Sequence, residues 1–346
     1  MRKYLLPKDG QFYKANLHCH TNFSDGRKSP AEVKEIYQKL GYSIIAYTDH
    51  DILIPHDELN DDRFLALHGF EIEMTDYSSN QTSTTRKTCH ICCIGLEPEN
   101  IVQPGWHRTL YQTNYFYGNA KLHAPHVKFD ESEPDFERDF SPECVNSFMK
   151  KAREKGFFVT YNHPTWSMEH YGDYMQYEGM HAFEIMNGGC LSEGYDDYNP
   201  RVFDDLLRGG KPVYCIGADD NHNARKENDR HWDSGVAFTV IKADSLDYRT
   251  VTKALEDGHF YASEAPEIYE LYYENGEVTV KCSEADRVFC TYGIRKAHVK
   301  YAYENEPVTE ATFEVPEDCN YFRITVVDAK GRHACTNAYF VKDLID

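Results

Sequence analysis

Along residues 12–265, short apolar runs alternate with amphipathic segments, the rhythm of an α/β chain. Residues 12–17 read as a strand ending at His18. Ser29-Pro30-Ala31-Glu32 is a capping box with proline at the first helical position, and Val33, Ile36, Tyr37 and Leu40 follow at i, i+3, i+4 and i+7. Gly41 stops that helix, and residues 43–47 form the next strand, which delivers Asp49 and His50. The pattern repeats. Residues 64–67 lead to His68 and Glu71, and residues 89–94 carry His90. A helix opens at Ser141-Pro142, gathers Val145, Phe148, Met149 and Ala152 on one face, and ends at Gly156. Residues 157–161 run into Asn162-His163-Pro164, 182–186 into Asn187-Gly188-Gly189, and 213–217 into Ala218-Asp219-Asp220-Asn221-His222. Residues 203–207 read as helix, 236–241 as a late strand, and 248–257 as a late helix closed by Gly258.

Polar, ligand-type residues follow the ends of several different strands. That placement predicts a barrel-like α/β fold over an open sheet, whose ligands gather at one crevice. Two segments break the rhythm. Residues 97–140 lack periodicity and are rich in Tyr, His, Asn and Pro, which reads as a lid, a substrate wall or a decorative insertion. Residues 268–346 switch to β alternation, at 269–273, 278–282, 321–327 and 339–341, with a hairpin signal at Asn275-Gly276. The expected domains are therefore a barrel over 1–267 and a small all-β domain over 268–346.

The chain has 346 residues, 41% of them apolar, enough for a substantial core. No run reaches membrane-span length, and the N-terminus lacks a signal-peptide stretch, so a soluble cytoplasmic protein is expected. Eleven cysteines, an odd count without framework spacing, fit reduced thiols, and Cys89-x-x-Cys92 reads as strand packing. A net charge of −20 argues against long nucleic acids as partners. A homo-oligomer is left open.

His18-Cys19-His20 places two imidazoles on one strand face, and burying both is costly unless something binds them. A divalent metal is the natural partner. Glu71, His90, His163, Asp220 and His222 also sit at the ends of apolar runs. Mixed imidazole and carboxylate donors suit Mn, Fe or Zn, and more than four donors imply two or three ions. Asp25, in Ser24-Asp25-Gly26, is either a ligand or part of an ordinary turn. Asp49, Asp51 and Asp219 either orient imidazoles or are solvated.

The set His18-x-His20, Thr48-Asp49-His50, Gly69-Phe70-Glu71, Asn162-His163-Pro164 and Asp220-Asn221-His222 resembles the polymerase-and-histidinol-phosphatase (PHP) family across residues 15–265. Gly258 to Ser263 also resembles the end of that domain. The resemblance implies a distorted (β/α)7 barrel that hydrolyses phosphate esters with two or three divalent ions. It implies one ion on His18, His20, Glu71 and Asp220, a second on Glu71, His90 and His163, and a third on Asp25, His50 and His222.

The expected reaction is hydrolysis of a small phosphorylated metabolite or nucleotide, mono- or cyclic phosphate, by a hydroxide bridging the ions at Glu71. His222 or His20 is the candidate proton donor to the leaving oxygen. Arg201 and Arg225, with Arg86 and Arg108, are candidate phosphate clamps. Trp106, Tyr115, Tyr117 and Trp166 are candidate aromatic platforms. Two other readings compete: a metal-dependent amidohydrolase, which usually carries a bridging lysine, and a catalytically degenerate binding module.

Overall fold

The computed structural model describes residues 2–77, 82–112, 117–304 and 306–344. Its central core draws alternate residues from nine strands, among them Ala15, Ile44, Leu65, Ile94, Phe158, Ala182, Ile216, Ile241 and Phe260. The helix Tyr248–Glu256 covers one end of that core with Val251, Ala254 and Leu255. Burial of these side chains, about 1.5–3 kcal/mol for each of the larger ones, fixes the strand registers and hence the rim where the polar residues emerge.

The strands form one large mixed sheet. Its order is Tyr214–Ala218, Ala182–Asn187, Phe157–Asn162, Thr88–Gly95, Leu65–Thr75, Ile44–Tyr47, Gln11–Asn16, Phe238–Ala243 and Phe260–Ser263. Pairing is parallel from Gln11–Asn16 through Ile44–Tyr47 to Leu65–Thr75, and antiparallel on both sides of Thr88–Gly95. The segments that follow Gln11–Asn16 and Tyr214–Ala218 meet beyond their ladders. Cys19 and Asn221 form an isolated bridge, Asp220 N–H donates to the His18 carbonyl at 2.9 Å, and His20 N–H donates to the Asn221 carbonyl at 3.1 Å.

The antiparallel strand corrects one expectation. Glu71 lies in the middle of Leu65–Thr75, and His90 lies near the start of Thr88–Gly95. A reversed strand brings its beginning to the rim, and Glu73 pairs directly with His90 across the ladder.

The helix Pro30–Lys39 opens as read: Ser29 accepts from Glu32 N–H, and Glu32 accepts from Ser29 N–H in return. Asn275 and Gly276 both have positive φ, which suits the two-residue hairpin between Ile268–Glu274 and Glu277–Ala285. Among the described residues beyond 268 the regular elements are strands, apart from a short helical turn at Val341–Asp343, and two sheets use them. Ile268–Glu274, Glu277–Ala285 and Val308–Glu314 pair with Lys3–Tyr4 in a four-stranded sheet. His333–Thr336 pairs with Phe260–Ser263, so Tyr321–Val327, Arg287–Tyr292 and Ala297–Tyr301 continue the large sheet. Arg323 donates to both Asp204 oxygens at 2.9 and 3.0 Å, a buried fork that ties this region to the helix Pro200–Arg208.

The 97–140 segment has its own small core of Trp106, Ala120, Ala124 and Val127 against Ile52. A buried Arg138–Asp51 ion pair and Gln103, which donates to the Asp51 carbonyl at 2.9 Å, fasten it beside His50. All eleven cysteines are free, and Cys89, Cys92 and Cys93 are fully buried in their strand. No described helix is long and apolar enough to cross a membrane.

Candidate metal centre

Strand extensions deliver the site. Leu17 turns inward, so His18 and His20 leave the Gln11–Asn16 strand on the same side with their Nε2 atoms 3.1 Å apart. His163 and Asp220 follow their strands in left-handed backbone, with φ of 26° and 51°. Such conformations are uncommon for residues with a Cβ and tend to gather at functional sites. Gly189 lets the end of Ala182–Asn187 lie against Asp219 and Asp220, because a Cβ there would stand 2.9 Å from the Asp220 carbonyl oxygen.

Glu71 is the hub. Its Oε1 lies 3.2 Å from His18 Nε2, 3.0 Å from His90 Nδ1 and 3.4 Å from His163 Nε2. Its Oε2 lies 3.3 Å from His20 Nε2 and 3.1 Å from His50 Nδ1. Asp220 Oδ1 lies 2.9 Å from His20 Nε2 and 3.2 Å from His18 Nε2. Asp25 reaches His222 at 3.4 Å and His50 at 3.8 Å.

All nine residues singled out as ligands come together here. Their donor atoms form four overlapping groups with the spacing of a cation's ligands: His20, Asp25, His50 and His222; His18, Glu71 and His163; His18, His20 and Asp220; and His50, Glu71 and His90. The groups divide the residues differently from the family pattern, with His20 joining Asp25, His50 and His222. Several lone pairs here lack an aligned protein partner although they are buried: His20 Nδ1, His50 Nδ1, His90 Nε2, Glu71 Oε2 and Asp220 Oδ1. Buried polar atoms are normally satisfied, and six imidazoles with three carboxylates are the donors a borderline divalent ion takes. The residues fit such ions.

The electrostatics point the same way. Burial works to raise the Glu71 pKa, yet His18, His90 and His50 hold it well below the usual carboxylate range. Asp220 and Asp25 are likewise depressed by neighbouring imidazoles against the effect of burial. Burial also works against charge on His20 and His90. Hydrogen bonds to Asp220 and Glu71 nevertheless raise His20 to about 10, and Glu71 and Glu73 raise His90 to about 10. Burial and the neighbouring His20 push His50 down to about 4. Without cations, protons stabilise this cluster of carboxylates, and metal binding would displace them.

Two buried carboxylates missed by the sequence reading stand behind the ring. Glu184 Oε1 accepts from His18 Nδ1 at 3.0 Å, and its Oε2 accepts from His163 N–H at 3.1 Å and Asn187 Nδ2 at 2.9 Å. Glu73 lies 3.6 Å from His90 Nε2, accepts from Tyr117 Oη at 2.8 Å, and is held down to about 2, where the His90 contact outweighs burial. The three aspartates read as possible imidazole partners do other work. Asp49 accepts from Thr21 and Ser24 N–H and from both hydroxyls, which pins the loop carrying Asp25. Asp51 pairs with Arg138, and Asp219 accepts from the N–H groups of Gly235, Val236 and Ala237.

A cavity of about 830 Å³ opens onto the cluster, lined by His222, Asp220, Glu71, Tyr117, Trp166 and Tyr195 among others. Arg225 lines it, as does Arg27, which the sequence did not flag. Arg201 does not. It is exposed on its helix and pairs with Asp205 at 2.9 Å. Arg108 is bound to Asp135, Glu131 and Glu133, and Arg86 lies over the Tyr77 ring. Trp106 is buried in the small core of the 97–140 segment and is no platform, and Tyr115 lies outside the described residues.

No family model matches the chain, and no curated protein matches it. Solved structures do. A two-domain protein from Bacteroides vulgatus containing a predicted PHP-like metal-dependent phosphoesterase is similar at 15% identity over 98% of this chain and 97% of its own, with a TM-score of 0.43. A candidate metal-dependent phosphoesterase from Bifidobacterium adolescentis is similar at 17% identity over 65% of this chain and 91% of its own, with a TM-score of 0.38. An amidohydrolase from Chromobacterium violaceum, solved with sulfate and no metal, is similar at 17% identity over 60% of this chain and 87% of its own, with a TM-score of 0.41. The PHP family that the ligand motifs resemble is thus named among the structural neighbours, and at these scores the centre stands on the geometry of its own residues.

Proposed function

We propose that the protein is a metal-dependent phosphoesterase that hydrolyses a small phosphorylated metabolite or nucleotide, as a mono- or cyclic phosphate. One observation carries the reading: a fully buried glutamate, Glu71, with five imidazole nitrogens within 3.0–3.4 Å of its two oxygens. That arrangement makes sense as a carboxylate shared between cations. The four donor groups would hold two or three ions of Mn, Fe or Zn. The strands that carry them would be the distorted barrel of the PHP resemblance.

Bound divalent ions supply an acidified water and neutralise the phosphoryl oxygens. The chain's own groups do the rest. Glu71 joins the donor groups through its two oxygens. Of the two proton-donor candidates, His222 lines the cavity, whereas His20 is enclosed between Asp220 and Glu71. His222 also keeps a raised pKa against burial and the repulsion of His20, through its hydrogen bond to Asp25. Released from its ligand role, it would be placed to deliver a proton to the leaving oxygen. Arg27 and Arg225 flank the opening and match the outer oxygens of a phosphate. The partly exposed rings of Trp166 and Tyr195 offer faces to a planar leaving group.

An amidohydrolase with a bridging lysine is disfavoured, because no described lysine lines the cavity and Glu71 holds the central place. A degenerate module is disfavoured because all nine donors converge. The test is phosphate release with Mn²⁺ across nucleotides, cyclic phosphates, sugar phosphates and histidinol phosphate, beside amides and lactones. Glu71→Gln should retain the fold and lose turnover on every positive substrate. Cleavage confined to amides or lactones, or none after metal loading, would refute the proposal.

A further inference from the structure

We propose that residues 117–119 complete the cation site of His20, Asp25, His50 and His222, with Tyr117 as its positioning residue; this rests on the metal-centre reading above. The rings form a bent chain of close contacts. His222 lies 4.4 Å from His20 at 26°, His20 lies 4.3 Å from His50 at 24°, and His50 lies 4.3 Å from Tyr117 at 28°, while His222 and His50 stand 6.2 Å apart at 44°. Tyr117 is therefore the end of a chain of rings whose other three members all belong to that donor group. Its hydroxyl donates to Glu73 at 2.8 Å, and Glu73 faces His90 Nε2. One side chain from outside the strands thus touches the imidazole of one donor group and, through Glu73, backs another.

The neighbouring residues are tied to the loop that carries Asp25. Asn119 N–H donates to the Ser24 carbonyl at 2.6 Å, and Asn119 Nδ2 donates to the Asn22 carbonyl at 3.0 Å. Gly118 has φ of +51°, and a Cβ there would stand 2.1 Å from the Ser24 carbonyl oxygen. The contact is too close for any other residue. Packing alone does not account for Tyr117, which is half-buried and sets its ring on an imidazole rather than in the apolar core of its own segment. An imidazole held between two neighbouring rings, as His50 is between His20 and Tyr117, loses less freedom when it takes a metal, and partners behind ligands typically change metal affinity about 10–100-fold.

The experiment titrates Mn²⁺ calorimetrically into metal-free full-length protein, with bound metal counted by elemental analysis, for wild type, Tyr117→Phe and Tyr117→Leu. Wild type should bind at least two ions. Tyr117→Leu, which removes both ring and hydroxyl, should weaken one site about tenfold. Tyr117→Phe keeps the stack but loses the Glu73 hydrogen bond, and should fall between the two. Thermal melting of the metal-free proteins reports folding separately. If Tyr117→Leu fails to fold, the Phe isotherm decides. Superimposable isotherms for wild type and the folded variants overturn the inference, even if melting temperatures shift. A wild type that binds no Mn²⁺ overturns instead the metal-centre reading on which the inference stands.

Discussion

Glu184→Gln should weaken metal binding about 10–100-fold while leaving the shape of the site intact. Glu184 is completely buried, and each of its three hydrogen bonds is one it accepts: from His18 Nδ1, His163 N–H and Asn187 Nδ2. A carboxylate has four lone-pair sites and meets all three. Glutamine has the same size but must turn an NH₂ toward one of these donors. If it faces His163 N–H and Asn187, two buried donors lose their acceptor, at about 1–3 kcal/mol each. If it faces His18, the imidazole must move its proton from Nδ1 to Nε2. That second outcome bears on function, because His18 Nε2 is the atom 3.2 Å from both Glu71 and Asp220. A protonated Nε2 cannot bind a cation. The two lost hydrogen bonds, about 2–6 kcal/mol together, would lower stability with or without metal, whereas the tautomer cost falls on metal binding, where a 10–100-fold loss represents about 1.4–2.7 kcal/mol.

The assay is calorimetric Mn²⁺ titration of metal-free wild type and Glu184→Gln, with ¹⁵N histidine spectra to read the His18 tautomer. An unchanged affinity and ion count, with His18 still protonated at Nδ1, would refute the reasoning. Glu184 would then be a packing residue that happens to lie beside a histidine.

Two further predictions come from other parts of the chain. Replacing Arg27 and Arg225 together by methionine should raise KM for any phosphate ester found in the screen by about tenfold or more, with metal content unchanged; a change in kcat alone would move these arginines away from phosphate recognition. Glu169 is half-buried beside Tyr161 and Tyr177, whose hydroxyls donate to it at 2.7 and 2.6 Å, and desolvation of its carboxyl raises its pKa to about 8 despite them. A carboxyl raised in the folded state favours folding below its ordinary value near 4.5, and that contribution is lost as pH climbs to about 8. Glu169→Gln should therefore melt close to wild type at pH 5 and above it at pH 8.5, by up to a few kcal/mol in stability. A gap that stays constant across that range in calorimetric scans would contradict the sign.

Most of the ligand residues were readable because they lie in or directly after buried runs, where a polar side chain needs a reason. His18, His20, His163, Asp220 and His222 end strands whose alternation was plain, so topology only had to bring the ends together. The reversed strand was not readable. The run 89–94 is apolar on both faces, Cys89 and Cys93 against one core and Cys92 toward His18, so periodicity gave it no direction. Nor was the joining of Arg287–Tyr292, Ala297–Tyr301, Tyr321–Val327 and His333–Thr336 to the large sheet. Strand pairing between Phe260–Ser263 and His333–Thr336 spans a separation that no local pattern reports, and the alternating Ala297, Val299 and Tyr301 mark a strand at an exposed edge without naming its partner.

The residues that support the ligands divide by the same physics. Glu184 did leave a signal: a lone charge inside the apolar run Ala182–Asn187, which folding can bury only against donors. Glu73 left one too, two residues after Glu71 and so on the same strand face. Tyr117 stood out only as one of several loop aromatics and Arg27 not at all, since each comes from irregular chain whose position is set by contacts with distant residues, Glu73 for the first and the His222 carbonyl for the second. Strand alternation thus specifies the donors and the carboxylates directly behind them. The outer wall of the site, where the Tyr117 ring lies against His50 and Arg27 and Arg225 line the cavity, depends on tertiary docking of loops.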